Sequence, residues 1–94
     1  MELEKDIERY LMRKVEQAGG LCIKHGDYGW PDRIVFLPGG QVTWVELKRA
    51  TGKLADMQRY RAVQLAKVGQ EVVCLWSKDE VDDWINEKTK KGQS

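Results

Sequence analysis

The sequence has almost none of the residues that would place it outside a reducing compartment. Its only cysteines are Cys22 and Cys74, each inside an apolar run and neither at zinc-ligand spacing. They read as small core residues, not as a disulfide. No run approaches the roughly 18 apolar residues of a membrane span, and no signal peptide opens the chain. The expected compartment is therefore the cytoplasm, that of the host if the chain is phage-encoded. There are no repeats, and the only low-complexity stretch is the polar end. Charge of one sign is lacking too: the net charge of +1 is silent about a nucleic-acid partner, because acids gathered around a metal can offset a basic rim. What is present, 94 residues with 41% hydrophobic and 33% charged, suits one soluble globular domain. Its core is modest, and dimerisation would add buried surface.

Periodicity divides the chain into seven elements. Leu3, Ile7, Tyr10, Leu11, Val15 and Ala18 recur at helical spacing, predicting a helix over Glu2 to Ala18 that Gly19-Gly20 ends. A short strand begins at Leu21-Cys22-Ile23, and Lys24 to Trp30 reads as a loop. Arg33 to Leu37 and Gln41 to Lys48 read as strands joined by the turn Pro38-Gly39-Gly40. After the connector Thr51-Gly52-Lys53, a helix runs to about Lys67 with Leu54, Ala62, Leu65 and Ala66 on its inner side. The apolar run Glu71 to Trp76 predicts a strand buried on both faces. Ser77-Lys78-Asp79-Glu80 matches a capping box opening a helix that buries Val81, Trp84 and Ile85. Residues 1–87 form the expected domain and 88–94 a polar tail. The order αβββαβα predicts an α/β fold: an antiparallel meander of three strands, then a βαβ unit that makes the third and fourth strands parallel in a mixed four-stranded sheet flanked by helices.

Pro31-Asp32 and Glu46-Leu47-Lys48 carry the chemistry. Glu46 and Lys48 are two apart on a strand, so their side chains leave one face. Two carboxylates and an amine there suit a metal site that cuts phosphodiester bonds, since Mg²⁺ takes oxygen ligands and keeps waters that can act as nucleophiles. The register of the hairpin decides whether Asp32 joins them. A two-residue turn sets Asp32 opposite Leu47, facing away from Glu46; a three-residue loop pairs Leu37 with Gln41 and sets Asp32 opposite Glu46. The sequence therefore predicts an odd loop with a left-handed glycine, or a bulge before Asp32.

Pro31-Asp32 followed by Glu46-Leu47-Lys48, in this element order, resembles the PD-(D/E)XK nuclease superfamily. Gly29-Trp30-Pro31-Asp32-Arg33, Pro38-Gly39-Gly40, Trp44-Val45-Glu46-Leu47-Lys48-Arg49, Gly52-Lys53-Leu54, Gln58, and Leu65 with Gly69 resemble its VRR-NUC (virus-type replication-repair nuclease) domain from about Glu4 to Ile85. The resemblance implies a metal-dependent DNA nuclease. Asp32 and Glu46 would hold Mg²⁺ or Mn²⁺ with the backbone carbonyl of Leu47, Lys48 would assist the nucleophile, and Glu4 and Gln58 match further site positions. Members often place a serine or threonine cap before the second helix, where this chain has Ala55. Stand-alone members are similar to Holliday-junction resolvases acting as homodimers on branched DNA. The alternatives are a flap or nicking nuclease of this fold and a non-cutting DNA-binding or assembly module.

Each site residue also has a bland reading. Asp32 could be a turn residue after proline, and Glu46 a buried ion pair with Lys48 or Arg33. Lys48, close to carboxylates, is expected to stay protonated and orient the attacking water. Gln58 could be a solvated helix-edge residue, and Glu4 has Glu2 and Glu8 as rivals. His25 reads as incidental, with DNA contact as the alternative. Tyr28 and Trp30 could stack on a base, pack a dimer partner or pack in the core. Arg49, Lys53, Arg59 and Arg61 are candidate phosphate contacts or solvated helix charges.

Overall fold

The computed structural model describes residues 1–90. The elements are α1 (Glu4–Gln17), β1 (Leu21–Lys24), β2 (Arg33–Leu37), β3 (Gln41–Leu47), α2 (Asp56–Lys67), β4 (Glu71–Leu75) and α3 (Lys78–Lys90). They form one mixed four-stranded sheet in the order β1-β2-β3-β4. β1, β2 and β3 are an antiparallel meander and β4 lies parallel to β3, as the connections require. The core lies on one face of the sheet. Ile7, Leu11 and Val15, spaced by four on α1, meet Val35, Leu37, Val45, Leu47 and Leu75 from the strands and Val81 and Ile85 from α3. Each such side chain contributes roughly 1.5–3 kcal/mol by leaving water.

The loop Pro38-Gly39-Gly40 is odd: Leu37 pairs with Gln41 and Arg33 with Val45. Both glycines take left-handed backbone, φ +89° at Gly39 and +80° at Gly40. A Cβ at Gly40 would meet nothing within 4 Å, so its cost is conformational alone. Gly40→Ala is expected to lower stability by roughly 1–2 kcal/mol, read from urea unfolding; an unchanged midpoint would mean the left-handed backbone sets no constraint there.

Several local expectations shift. Leu3 and Ala18 cap α1 rather than lie within it, and Leu3 is exposed. Leu54 precedes α2, and Ala66 faces solvent; the inward residues of α2 are Gln58, Arg61, Ala62 and Leu65, with only Leu65 fully buried. β4 is not buried on both faces. It is a sheet edge, and only Leu75 is buried. Half the expected capping box forms: the Ser77 hydroxyl accepts from Glu80 N–H, but the Glu80 carboxylate accepts from Trp76 N–H. α3 continues through Lys90 because the Lys88 ammonium pairs with Glu71 at 2.5 Å and the Lys88 carbonyl accepts from Gln41. The rest of the expected tail, 91–94, lies outside the described residues.

Candidate functional site

The site forms where β2 begins and β3 ends. Arg33↔Val45 is the first pair of this ladder, so Asp32, one residue earlier, faces Glu46. The Asp32 carboxylate accepts the Leu47 N–H at 2.9 Å, and its carbonyl accepts the His25 N–H at 2.8 Å, so side chain and backbone are both fixed. Glu46 lies on the sheet face opposite the core, yet it is only 4% exposed. Its carboxylate accepts from the Gln58 amide at 3.0 Å. The Gln58 carbonyl oxygen accepts the Ala55 N–H at 2.8 Å, which settles which end of the amide turns to Glu46. Gln58 thus supplies half of a cap at the start of α2, where Ala55 has no side-chain acceptor, and holds Glu46 with its other end.

Burial pushes the Glu46 carboxyl up to about 8, and the hydrogen bond and charge of Asp32 push the same way; Lys48 opposes the shift and Glu4 adds to it. A buried carboxylate in contact with a half-buried one cannot ionise cheaply beside it without a cation. Hard oxygen donors in that situation fit a divalent ion, which would take the place of the proton. The consequence for stability has a definite sign. Between its ordinary 4.5 and about 8, Glu46 keeps a proton in the folded state that the unfolded chain releases. Metal-free stability is therefore full below pH 4.5 and declines as pH rises to 8, by on the order of a few kcal/mol. Urea unfolding in EDTA across that range is expected to show the decline, and Glu46→Gln to flatten it.

A cavity of about 370 Å³ opens beside this pair, lined by Asp32, Leu47, Gln58, Glu4 and Glu8 and by the loop from Lys24 to Trp30. The Leu47 side chain is in the core, so its main chain is what faces the cavity. Glu46 lies beneath that wall, next to Asp32 and Gln58. The rivals on α1 are separated by their partners. Glu8 pairs with buried Arg33 at 2.7 Å, and Glu2 accepts the Lys78 N–H at 3.1 Å; Glu4 and Glu8 both line the cavity, Glu8 with its carboxylate held by Arg33. The charge of Glu4 also reaches Glu46, while among the described residues no three His, Cys, Asp or Glu side chains are grouped to hold a metal ion. The Arg33–Glu8 pair removes Arg33 as a partner of Glu46. Lys48, one residue past β3, donates its N–H to Leu75 at 3.1 Å, and its ammonium makes no ion pair within 4 Å among the described residues.

Trp30 and Arg61 pack against each other beside the cavity that Trp30 lines. Trp30, Trp44 and His25 form an aromatic cluster with centroids 5.6–6.2 Å apart, and the Arg61 guanidinium lies 4.6 Å from the Trp30 centroid. Arg61 also donates to Gln64 at 2.7 Å. Trp44 and a structural His25 were not foreseen as a cluster; the one available signal was Trp44 sitting two residues before Glu46, on the same strand face. Tyr28, 83% exposed, stands free at the cavity wall. Its loop closes on α2 at Gly29, where φ is +83° and a Cβ would come within 2.3 Å of Met57. Arg49, Lys53 and Arg59 are exposed. Cys22 and Cys74 are free, and burial pushes the Cys74 thiol up to about 12. No helix among the described residues is long and apolar enough to cross a membrane.

A scan of protein-family models finds no match to the chain. It is 35% identical over 79 residues to p44 of Acyrthosiphon pisum secondary endosymbiont phage 1, provisionally named a nuclease, with 81% of this chain and 85% of p44 covered. A solved VRR_NUC domain is 31% identical and superposes with a TM-score of 0.81, covering 88% of this chain and 94% of that one. Likeness of this extent in both sequence and backbone is that of kin, and the chain belongs to the VRR-NUC nuclease family.

Proposed function

We propose that the protein is a metal-dependent endodeoxyribonuclease acting on branched DNA as a homodimer, in the manner of a Holliday-junction resolvase. The observation that carries this reading is Glu46: a nearly buried carboxylate, held by Gln58 and pressed against Asp32, on a chain of this family. Asp32, Glu46 and the main-chain carbonyl of Leu47 would hold Mg²⁺ or Mn²⁺. When bound, the ion supplies charge neutralisation at the phosphate and an acidified water as nucleophile. Everything else falls to the chain's own side chains. The Leu47 N–H fixes Asp32, and Gln58 fixes Glu46, so neither carboxylate has to be ordered when substrate arrives. Lys48 orients the attacking water and offsets charge developing on the phosphorane. Attack in line with the leaving oxygen gives 5′-phosphate and 3′-hydroxyl ends. Glu4, on the cavity wall, adds to the negative field there and would be the further carboxylate ligand. Tyr28 is placed to stack on an unpaired base. Arg49, Lys53 and Arg59 contact phosphates, so affinity falls with salt.

Incubation with a four-way junction, a flap and a linear duplex, each with Mg²⁺, Mn²⁺ or EDTA, tests the reading. Cutting of the junction above the duplex, lost in EDTA, is the expected result. Preference for the flap would move the chain to a flap or nicking specificity. Binding without cutting under either metal would make it an assembly module.

A further inference from the structure

The sheet is open along β4. The Leu75 carbonyl accepts the Lys48 N–H at 3.1 Å, which turns the main-chain groups of Leu75 and, two residues back, Val73 toward β3. Those of Val72 and Cys74 point the other way, where no strand of the sheet lies. The Trp76 N–H, next along this edge, is taken by the Glu80 carboxylate at 2.9 Å, which closes the edge at that end. An edge with main-chain donors and acceptors turned outward is a template for another extended chain.

A cavity of about 360 Å³ lies between this edge and α3. Val73, Cys74, Leu75 and Trp84 line it, and Glu80, Asp83 and Glu87, on successive turns of α3, form an acidic rim. The Trp84 indole N–H is buried and has no acceptor among the described residues, where such a donor is ordinarily paired. Asp83 and Glu87 are exposed and form no ion pair among the described residues. Two lysines of the same helix are engaged elsewhere: Lys78 lies 5.8 Å from the Tyr10 centroid, and Lys88 pairs with Glu71. On the other face of the sheet α2 packs against β4. Met57 of α2 meets the β1–β2 loop at Gly29, so the opposite flank of that helix, Arg59, Ala62 and Ala66, is the one beside the open edge.

We propose that the β4 edge is a docking site for an extended basic segment of another protein, which adds a fifth strand beside β4 with its lysines or arginines turned to α3. Main-chain bonds to Val72 and Cys74 would hold the strand, and side-chain charge would select it. The stem of a lysine or arginine covers Trp84 while its head reaches Asp83 or Glu87. The alternate residues face α2, where the alanines leave room and Arg59 favours a partner without a second cation. The acidic rim repels phosphate, so DNA is a poor occupant. A second copy is a poor one too: its β4 carries no cation, and its α3 would set acid against acid. The groove lies on the α3 side of the sheet, away from the Asp32–Glu46 cavity, which stays open to substrate. This site does not depend on the nuclease reading.

The probe is a synthetic peptide of alternating lysine and threonine, about seven residues long, titrated into the isotope-labelled full chain and followed by NMR. The expected result is a shift at Val72, Cys74 and the Trp84 indole, with slowed hydrogen exchange at the Val72 and Cys74 N–H and no shift at Asp32 or Leu47. Asp83→Asn combined with Glu87→Gln removes charge at two exposed positions and is expected to weaken binding roughly tenfold. N-methylation of every second peptide residue, in the phase that faces β4, is expected to weaken it by about tenfold or more. The same peptide with glutamate for lysine is expected not to bind. No binding at millimolar peptide, shifts centred on Asp32 and Glu46, or an affinity indifferent to the double variant or to N-methylation would each overturn the site. So would slow exchange at Val72 and Cys74 without peptide that deepens with protein concentration, since a second copy would then occupy the edge.

Discussion

Glu46→Ala is expected to lower metal-dependent DNA cleavage by about a thousandfold or more, to the level of the EDTA control. The reason lies in how little can replace this carboxylate. Glu46 and Asp32 are the two acidic side chains that meet at the strand ends, and no third joins them among the described residues. Losing Glu46 leaves Asp32, a carbonyl and Glu4 on the cavity wall to hold a hard cation, without the buried carboxylate that seats it beside the phosphate. The experiment has an internal check. Glu46→Gln keeps an acceptor for the Gln58 amide, so its fold should survive, and it should gain stability near pH 8, where the wild-type carboxyl pushed up to about 8 gives up its proton. Loss of cleavage together with gain of metal-free stability would mark Glu46 as a residue kept for chemistry at a cost to the fold. Cleavage by Glu46→Ala at the wild-type rate would end the proposed site.

Lys48→Met is expected to reduce turnover by roughly 10²–10⁴-fold while metal binding persists. Lys48 is the cation whose charge favours ionised Glu46, yet it forms no close ion pair, so its ammonium remains free for the phosphate. The stem of Lys48 lies 3.5 Å from where a Cβ on Gly52 would be, and methionine keeps that stem. The split to measure is kcat against metal affinity: Mn²⁺ titration and metal-dependent thermal shift should match the wild type while single-turnover cleavage collapses. If metal binding falls in step with turnover, Lys48 tunes the carboxylates and does not act on the phosphate.

Much of the frame was legible before any coordinates. Ile7, Leu11 and Val15 repeat every four residues, and a helical repeat means one buried stripe. Gly39-Gly40 after Pro38 fits an odd loop, and the loop length alone decides whether Asp32 faces Glu46. The PD…ExK text named the acids and the amine because their spacing is local: one strand, one turn, one strand. Local pattern fails where partners come from far along the chain. Glu2, Glu4 and Glu8 look alike in sequence. They part only when Lys78 and Arg33 arrive from other elements to take two of them. Arg61 reads as a surface arginine until Trp30, from a distant loop, gives its guanidinium a ring to lie on. β4 reads as a buried strand because its composition is apolar, but burial depends on neighbours, and at the sheet edge it has one.

The sequence by itself determined the elements, narrowed the hairpin register to an odd loop or a bulge, and singled out Asp32, Glu46 and Lys48 as candidates, since each follows from backbone periodicity or turn length within a short stretch. The tertiary structure decided which glutamates are held by partners, which aromatics stack on one another beside the cavity and where the Arg61 guanidinium lies, because burial and pairing belong to the packed arrangement of elements and not to any one of them.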